Sequence, residues 1–336
     1  MKQQVISELN EFLDFIGWIE DINDEIWFAP LGEGKWRIHD VITHIMRWDV
    51  YFNEVTFPAL IESLSPELAE HPDYLGYNEQ SIHYGLDKTK QQIIDETKRN
   101  RQMMIDPLNS LDEDQFTRVY PGKREFTLAS YLTQFFTSHD KHHMRQIRDF
   151  IASQLTIENL TPADEISAGR VFEEAIPNAF AKEGLGDLTE DIQSEVEHKK
   201  RMLHASLTTG RSDTYFLVAK IGQRVVGTIS FGPCGEDAKA CTNNQFSDIG
   251  ELGSLYILPA YQGLGVGSAL IRSMANYLNK EGVERFCLDS GYRRAQKRWQ
   301  RKFGKPYAVV KDYWGPGSVH MVWLCSTSDF ADVPST

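Results

Sequence analysis

The sequence predicts a two-domain protein: an all-α four-helix bundle over residues 1–155, then a domain of mixed strands and helices over residues 156–336. Three observations point there. A chain of 336 residues is too long for one typical core. Its first half shows apolar residues at helical spacing only. Near residues 155–162 that character gives way to short apolar runs that alternate with helical patterns, the order expected of an α/β or α+β domain.

In the first half, Val5, Leu9, Phe12, Leu13 and Ile16 mark one helix. Ile38, Val41, Ile45, Trp48 and Phe52 mark a second, limited by Pro58. A third is expected from about Ile82 to Ile105, stopped by Pro107. A fourth starts at Thr127 as N-cap and carries Leu128, Leu132, Phe135, Phe136, Ile147, Phe150 and Ile151. Four such amphipathic helices make a bundle. In the second half, a strand at Thr156 to Pro162 precedes helices near 164–182 and 188–206. A hairpin follows, Tyr215–Lys220 and Arg224–Phe231 about Gly222-Gln223. The apolar run Ile249 to Leu258 leads through a glycine turn into a helix over 265–280. Strands at Arg285–Asp289, Tyr307–Asp312 and Val319–Leu324 flank a basic helix near 292–303.

Composition narrows the function classes. Hydrophobic residues at 41% and charged residues at 25% describe a globular chain, not a disordered one. No stretch approaches the ~20 apolar residues that span a bilayer. The start is amphipathic, with Glu8, Glu11 and Asp14 where a secretory signal would be apolar, so a cytoplasmic protein with no membrane role is expected. Net charge is −13: residues 1–155 hold 15 basic and 26 acidic side chains, residues 156–336 hold 20 and 22. The acidic first half argues against nucleic-acid binding. Cys234, Cys241, Cys287 and Cys325 form no C-x-x-C pair and read as buried thiols, although Cys234 and Cys241 bracket a loop-like stretch that a disulfide would close.

The sharpest motif is Gln262-Gly263-Leu264-Gly265-Val266-Gly267, set between strand and helix. Glycines allow a tight turn and close approach of a ligand to the backbone. The free N–H groups of the following helix offer a seat for pyrophosphate. The dinucleotide-binding alternative needs G-x-G-x-x-G in a strand–helix–strand unit that opens the domain, and neither is present. With the preceding Glu251-Leu252-Gly253-Ser254-Leu255-Tyr256-Ile257-Leu258-Pro259, the segment resembles the GNAT superfamily of N-acetyltransferases, in which Gln262, Gly265 and Gly267 match the Q/R-x-x-G-x-G/A turn. The resemblance covers most of residues 156–330 and implies an acyl-CoA N-acyltransferase fold with a mixed, mostly antiparallel sheet. It implies acetyl-CoA as cofactor, held by amides of Gln262, Gly263, Leu264, Gly265, Val266, Gly267 and Ser268, with Leu255, Tyr256 and Ile257 along its pantetheine and acetyl group. The acceptor is then a primary amine of a small molecule.

Deprotonating that amine calls for a base. Glu251 lies six residues before Ile257, so period two puts both on one face, where similar enzymes carry a glutamate; a solvated strand-end carboxylate is the plain alternative, and Asp248 a weaker candidate. The family's usual tyrosine acid is replaced by Trp299, which reads as packing, and Tyr292 or Tyr307 are left as donors. Arg293, Arg294, Lys297, Arg298, Arg301 and Lys302 make that helix basic, either as a solvated face or as contacts to the 3′-phosphate of coenzyme A.

His139 and His143 are four apart and share a helix side, and His44 keeps step with Val41 and Trp48. Three imidazoles facing into a bundle can chelate one divalent metal, with an open position for chemistry. His142 and His39 are substitutes for His143 and His44, and buried histidines hydrogen-bonded to neighbours are the plain alternative. The segments Gly34–Ile45 and His139–Ile147 resemble the DinB-like superfamily of four-helix bundles over residues 1–153. That resemblance implies zinc or nickel on His44, His139 and His143. It also raises an alternative in which the bundle is a metal-dependent thiol S-transferase or a module that sequesters a small molecule, the acetyltransferase being auxiliary. A bundle serving only to form a homodimer is a third reading.

Overall fold

The computed structural model describes residues 1–62, 73–120, 126–208 and 213–331. The chain forms two compact units, Met1–Ser153 and Gln154–Thr336.

The first unit is helical. Its elements are α1 (Lys2–Ile19), α2 (Asp24–Trp27), α3 (Ile38–Tyr51), α4 (Phe57–Glu62), α5 (Tyr74–Gly85), α6 (Lys90–Ser110), α7 (Glu113–Thr117), a two-residue hairpin of β1 (Val119–Tyr120) and β2 (Phe126–Thr127), α8 (Leu128–Leu132) and α9 (Ser138–Ser153). The long helices α1, α6 and α9 bury one stripe each, led by Leu9, Phe12 and Ile16, by Ile93, Met104 and Ile105, and by Ile147 and Ile151, whereas α3 is buried all round from Ile38 to Met46. Burial of these side chains at ~25 cal/mol per Å² of apolar surface is what holds a bundle together.

The helix expected over 82–105 is in fact two. Thr89 caps α6 reciprocally with Gln92, the Gln92 amide donating to Thr89 Oγ1 at 3.2 Å and the Thr89 amide to Gln92 Oε1 at 2.8 Å. Pro107 does not stop α6 but lies inside it, one turn from its end. The carbonyl it deprives of a donor belongs to Met103, which is exposed to water. Thr127 caps α8 as expected, accepting from Ser130 N–H at 3.0 Å. Wide π turns at Phe52–Thr56 and Thr133–Thr137 follow α3 and precede α9.

The second unit is a seven-stranded sheet in the order β3-β4-β5-β6-β7-β9-β8. Its strands are β3 (Leu155–Asn159), β4 (Tyr215–Ile221), β5 (Arg224–Gly232), β6 (Glu251–Ile257), β7 (Arg285–Ser290), β8 (Ala308–Lys311) and β9 (Val319–Ser326). Its helices are α10 (Glu165–Lys182), α11 (Thr189–Thr208), α12 (Glu236–Cys241), α13 (Val266–Lys280) and α14 (Arg293–Phe303). The β6–β7 pair is parallel and the others are antiparallel. The loop-like stretch expected after Cys234 contains α12, too short for a periodic pattern, with Ala238 and Cys241 buried against Cys287 and Val322. All four cysteines are free and buried.

One irregularity positions the site. The β5–β6 register runs from Thr228↔Tyr256 to Ser230↔Gly253, which leaves Ile229 opposite both Ser254 and Leu255. Ser254 takes φ 46° in this bulge. An extra residue reverses the alternation of faces. Glu251 and Ile257 stand opposite Gly232 and Gly227, an odd number apart, so they lie on opposite faces of the sheet. The shared face expected from their spacing does not hold.

Candidate active site and candidate metal centre

Past β6, a single turn at Pro259–Tyr261 brings the chain to Gln262, and Gly263 and Gly265 adopt φ 89° and 81°. Only glycine takes such a conformation without strain. Gly265 is the N-cap of α13, and no side chain caps that helix. The amides of Val266, Gly267 and Ser268 are thus presented at the positive end of the helix. Gln262 does not point away as a ligand. Its Nε2 donates to the carbonyl of Ile257 at 3.2 Å, and Lys182 Nζ donates to its Oε1 at 3.1 Å, so it ties the turn to the end of the strand. Gly267 lies close to the sheet, where a Cβ would come 3.0 Å from Ile257 Cδ1.

Cations gather at this helix end. Lys302 of the basic helix α14 donates to Ser268 Oγ at 3.2 Å. Burial and the neighbouring Arg298 and Arg294 lower the pKa of Lys182, and burial with Arg272 lowers that of Lys302. Lys182 escaped sequence reasoning because it comes from the far end of α10, 80 residues from Gln262. Bare amides, two left-handed glycines and flanking lysines fit a polyanionic pyrophosphate. Trp299 packs against Phe303 at 5.5 Å between ring centres.

On the opposite face from Ile257, Glu251 shares its side of the sheet with Tyr256. Tyr256 meets Phe172 edge-on at 5.6 Å and donates to Glu195 Oε1 at 3.1 Å. The Glu251 carboxylate accepts from Gly235 N–H at 2.8 Å. Burial and the charge of Asp289 push its pKa up to about 7, against the opposing pull of Gly235 N–H and Lys199. A carboxylate so tuned exchanges protons near neutral pH. Tyr292, the N-cap of α14, stands on the ring of Phe180 at 5.7 Å, its pKa raised by burial, Glu195 and Glu183. Tyr307 is exposed elsewhere and donates to Gln245.

In the helical unit, His44 on α3 and His139 and His143 on α9 converge. His139 Nε2 lies 3.1 Å from Nε2 of both His44 and His143. Nitrogens held about 2.0–2.1 Å from one metal at tetrahedral or octahedral angles are about 2.9–3.4 Å apart, so both separations from His139 match a ligand set, and the ligand atoms of all three lie within 4.8 Å of one another. Burial, reinforced by mutual repulsion, lowers the pKa of His44 to about 4 and of His139 to about 3, and lowers that of His143. The rings are therefore neutral at pH 7, as ligation requires. His143 Nδ1 lies 3.0 Å from Gln146 Oε1, so it carries the proton and leaves Nε2 a free lone pair.

The buried stripe of α9 runs through Asp140, Met144, Ile147 and Ile151, while His139 and His143 are half-buried at its margin. The site therefore keeps an open side. Of the expected substitutes, His142 is exposed, and both ring nitrogens of His39 are engaged, by Trp27 Nε1 at 2.9 Å and the Gly85 carbonyl at 2.8 Å.

Beneath the histidines lies a group that sequence reasoning missed. Arg101 of α6 is wholly buried and bonds Asp49 at 2.8 and 2.9 Å and Asp140 at 2.6 and 3.3 Å. Asp49 belongs to the helix of His44, and Asp140 follows His139. One guanidinium thus clamps together the two helices that carry the histidines. Burial opposes its charge, and Asp140 and Asp49 outweigh burial, keeping it protonated.

Each of the two units contains a match to a family model. Residues 182–304 match the model of the acetyltransferase (GNAT) family, a span that includes β6, the glycine turn and Lys302. Residues 14–147 match the DinB superfamily, a span that includes all three histidines. Among solved structures, the PaiA N-acetyltransferase of Thermoplasma acidophilum in complex with coenzyme A is 17% identical over 50% of this chain and 98% of its own, with a TM-score of 0.37. The ribosomal-protein-S18-alanine N-acetyltransferase of Escherichia coli is 13% identical over 54% of this chain and 97% of its own, at 0.36. YfiT of Bacillus subtilis, with its unusual four-helix bundle topology, is 19% identical over 44% of this chain and 85% of its own, at 0.37. No curated protein matches the chain. The chain joins an N-terminal domain of the DinB superfamily to a C-terminal acetyltransferase domain of the GNAT family.

Proposed function

We propose that the C-terminal domain moves an acetyl group from acetyl-CoA to a primary amine of a small molecule, and that the N-terminal domain holds zinc or nickel on His44, His139 and His143. The observation that carries the first reading is the uncapped start of α13, which follows two left-handed glycines and is flanked by Lys182 and Lys302. Amides of Val266, Gly267 and Ser268 bind the pyrophosphate there, and the bulge at Ser254 and Leu255 opens β6 for the pantetheine arm. Acetyl-CoA supplies a thioester whose carbonyl carbon accepts the amine nitrogen as the C–S bond breaks.

The chain's own part is to bind, orient and move protons. Glu251 removes the ammonium proton, directly or through one water, with a pKa suited to neutral pH. Asp289 and Asp237 add negative charge near it, which favours a cationic acceptor. Tyr292, which like Tyr256 is under the influence of Glu195, returns a proton to the leaving thiolate. At the histidines, a bound divalent ion would act as a Lewis acid at its open position, held by three neutral imidazoles.

Calorimetric titration of the full-length protein with acetyl-CoA, followed by an acetylation screen over amines, tests the first reading. Binding together with product on a cationic amine is expected, and absence of both would defeat the reading. Elemental analysis tests the second. Zinc or nickel content should be about one per chain lower in His139→Ala than in the wild type.

A further inference from the structure

A second set of metal-ligand atoms lies beside Glu251. Cys234 in the β5–α12 connection, Cys287 in β7 and Glu251 in β6 offer two sulfurs and a carboxylate oxygen, all within 4.8 Å of one another. Glu251 and Cys287 are register partners across the parallel β6–β7 pair, so the sheet itself sets them side by side. The two sulfurs are 3.8 Å apart, in a thiol hydrogen bond, and form no disulfide. Two Zn–S bonds of about 2.3 Å at a tetrahedral angle place their sulfurs about 3.8 Å apart.

Glu251 is also oriented as a ligating carboxylate would be. Gly235 N–H, next in sequence to Cys234, holds Oε2 at 2.8 Å and leaves Oε1 free. A Cβ at Gly235 would come 2.9 Å from that oxygen, so the close approach depends on glycine. Lys199 and Lys239 act electrostatically on Glu251 and Cys234, but burial outweighs them and raises the pKa of the carboxyl and of both thiols, so an ion would bind with release of protons.

We propose that Cys234, Cys287 and Glu251 form a site for a thiophilic divalent ion of the zinc class, and that filling it silences acetyl transfer. Two sulfurs select zinc over magnesium, calcium or manganese. Three protein donors leave a fourth position for water. Ligation through Oε1 occupies the lone pair that proton removal needs, so zinc inhibits in competition with the amine. The inhibitory half rests on the reading of Glu251 as base, whereas the binding half does not.

The test uses the full-length protein with His44→Ala and His139→Ala, so that the helical site is empty, kept reduced and stripped with a chelator. Cobalt(II) is the probe, because thiolate ligation gives a near-ultraviolet charge-transfer band that imidazole and carboxylate ligation does not. The band should appear with one equivalent of cobalt, disappear on adding zinc, and be lost in both Cys234→Ser and Cys287→Ser. Acetyl transfer measured with and without zinc should show inhibition at least tenfold weaker in Cys234→Ser than in its parent. Cys287 is a core residue, so Cys234→Ser, which changes a connection, keeps the test decisive if the other variant does not fold. No thiolate band, or a band that survives Cys234→Ser, overturns the site whatever the activity does. A band without inhibition overturns the silencing and, with it, the role of Glu251 as base.

Discussion

Replacing Glu251 with glutamine removes the proton acceptor and preserves the shape. The amide oxygen can still accept from Gly235 N–H, so the connection to α12 keeps its bond. With a pKa of about 7, the wild-type carboxylate is about one-tenth ionised at pH 6 and about nine-tenths at pH 8. The part of the rate that depends on it should therefore rise about tenfold across that interval. Ionisation of the acceptor amine adds its own slope, which both proteins share and which cancels in their ratio. At pH 8 the variant should be slower by about 10²–10⁴-fold, the usual contribution of a positioned general base. The assay is release of the coenzyme thiol at saturating acetyl-CoA, run for both proteins from about pH 6 to pH 9, with acetyl-CoA affinity as the control for folding. The wild-type to variant ratio should climb about tenfold and then level off above pH 8. A ratio that stays flat would refute the assignment, because a purely structural loss has no reason to follow the ionisation of this carboxyl.

Three further outcomes follow from the geometry. Gly265→Ala places a Cβ on a residue at φ 81°, a strain of about 1–2 kcal/mol, and calorimetry should show weaker acetyl-CoA binding; unchanged affinity would mean the turn does not hold the pyrophosphate. Arg101→Met leaves Asp49 and Asp140 buried without their cation and should cost about 3–5 kcal/mol in denaturant melts, a loss under about 1 kcal/mol speaking against the clamp. The metal-free helical domain should weaken in acid. His44 is neutral in the fold down to about pH 4, whereas an unfolded histidine takes up its proton near 6.5. The unfolded state thus binds the extra proton between those values, and stability falls as pH drops from 6.5 to 4, by about 3 kcal/mol for this residue. Urea midpoints at the two ends of that window should differ less in His44→Leu, and equal differences in both proteins would refute the account.

What was legible in the sequence is what depends on neighbours along the chain. The i, i+4 relation of His139 and His143 is a property of any helix, and the strand, glycine turn and helix around Gln262 to Gly267 are local conformational preferences. Both were readable, as were the helical character of the first half and the mixed sheet of the second. Local reasoning failed where a local rule was broken: the bulge at Ser254 turned Glu251 to the face opposite Ile257, and the capping pair Thr89 and Gln92 divided one expected helix into two.

The remaining features belong to the packed molecule. Arg101 reaches Asp49 and Asp140 from 52 and 39 residues away, Lys182 meets Gln262 across 80, and Cys234 faces Cys287 across 53. Burial then sets their chemistry, as it does for Glu251 near pH 7 and for the neutral histidines. Desolvation depends on which atoms surround a group in three dimensions. A one-dimensional pattern carries the spacing of such groups, and only the fold supplies their surroundings.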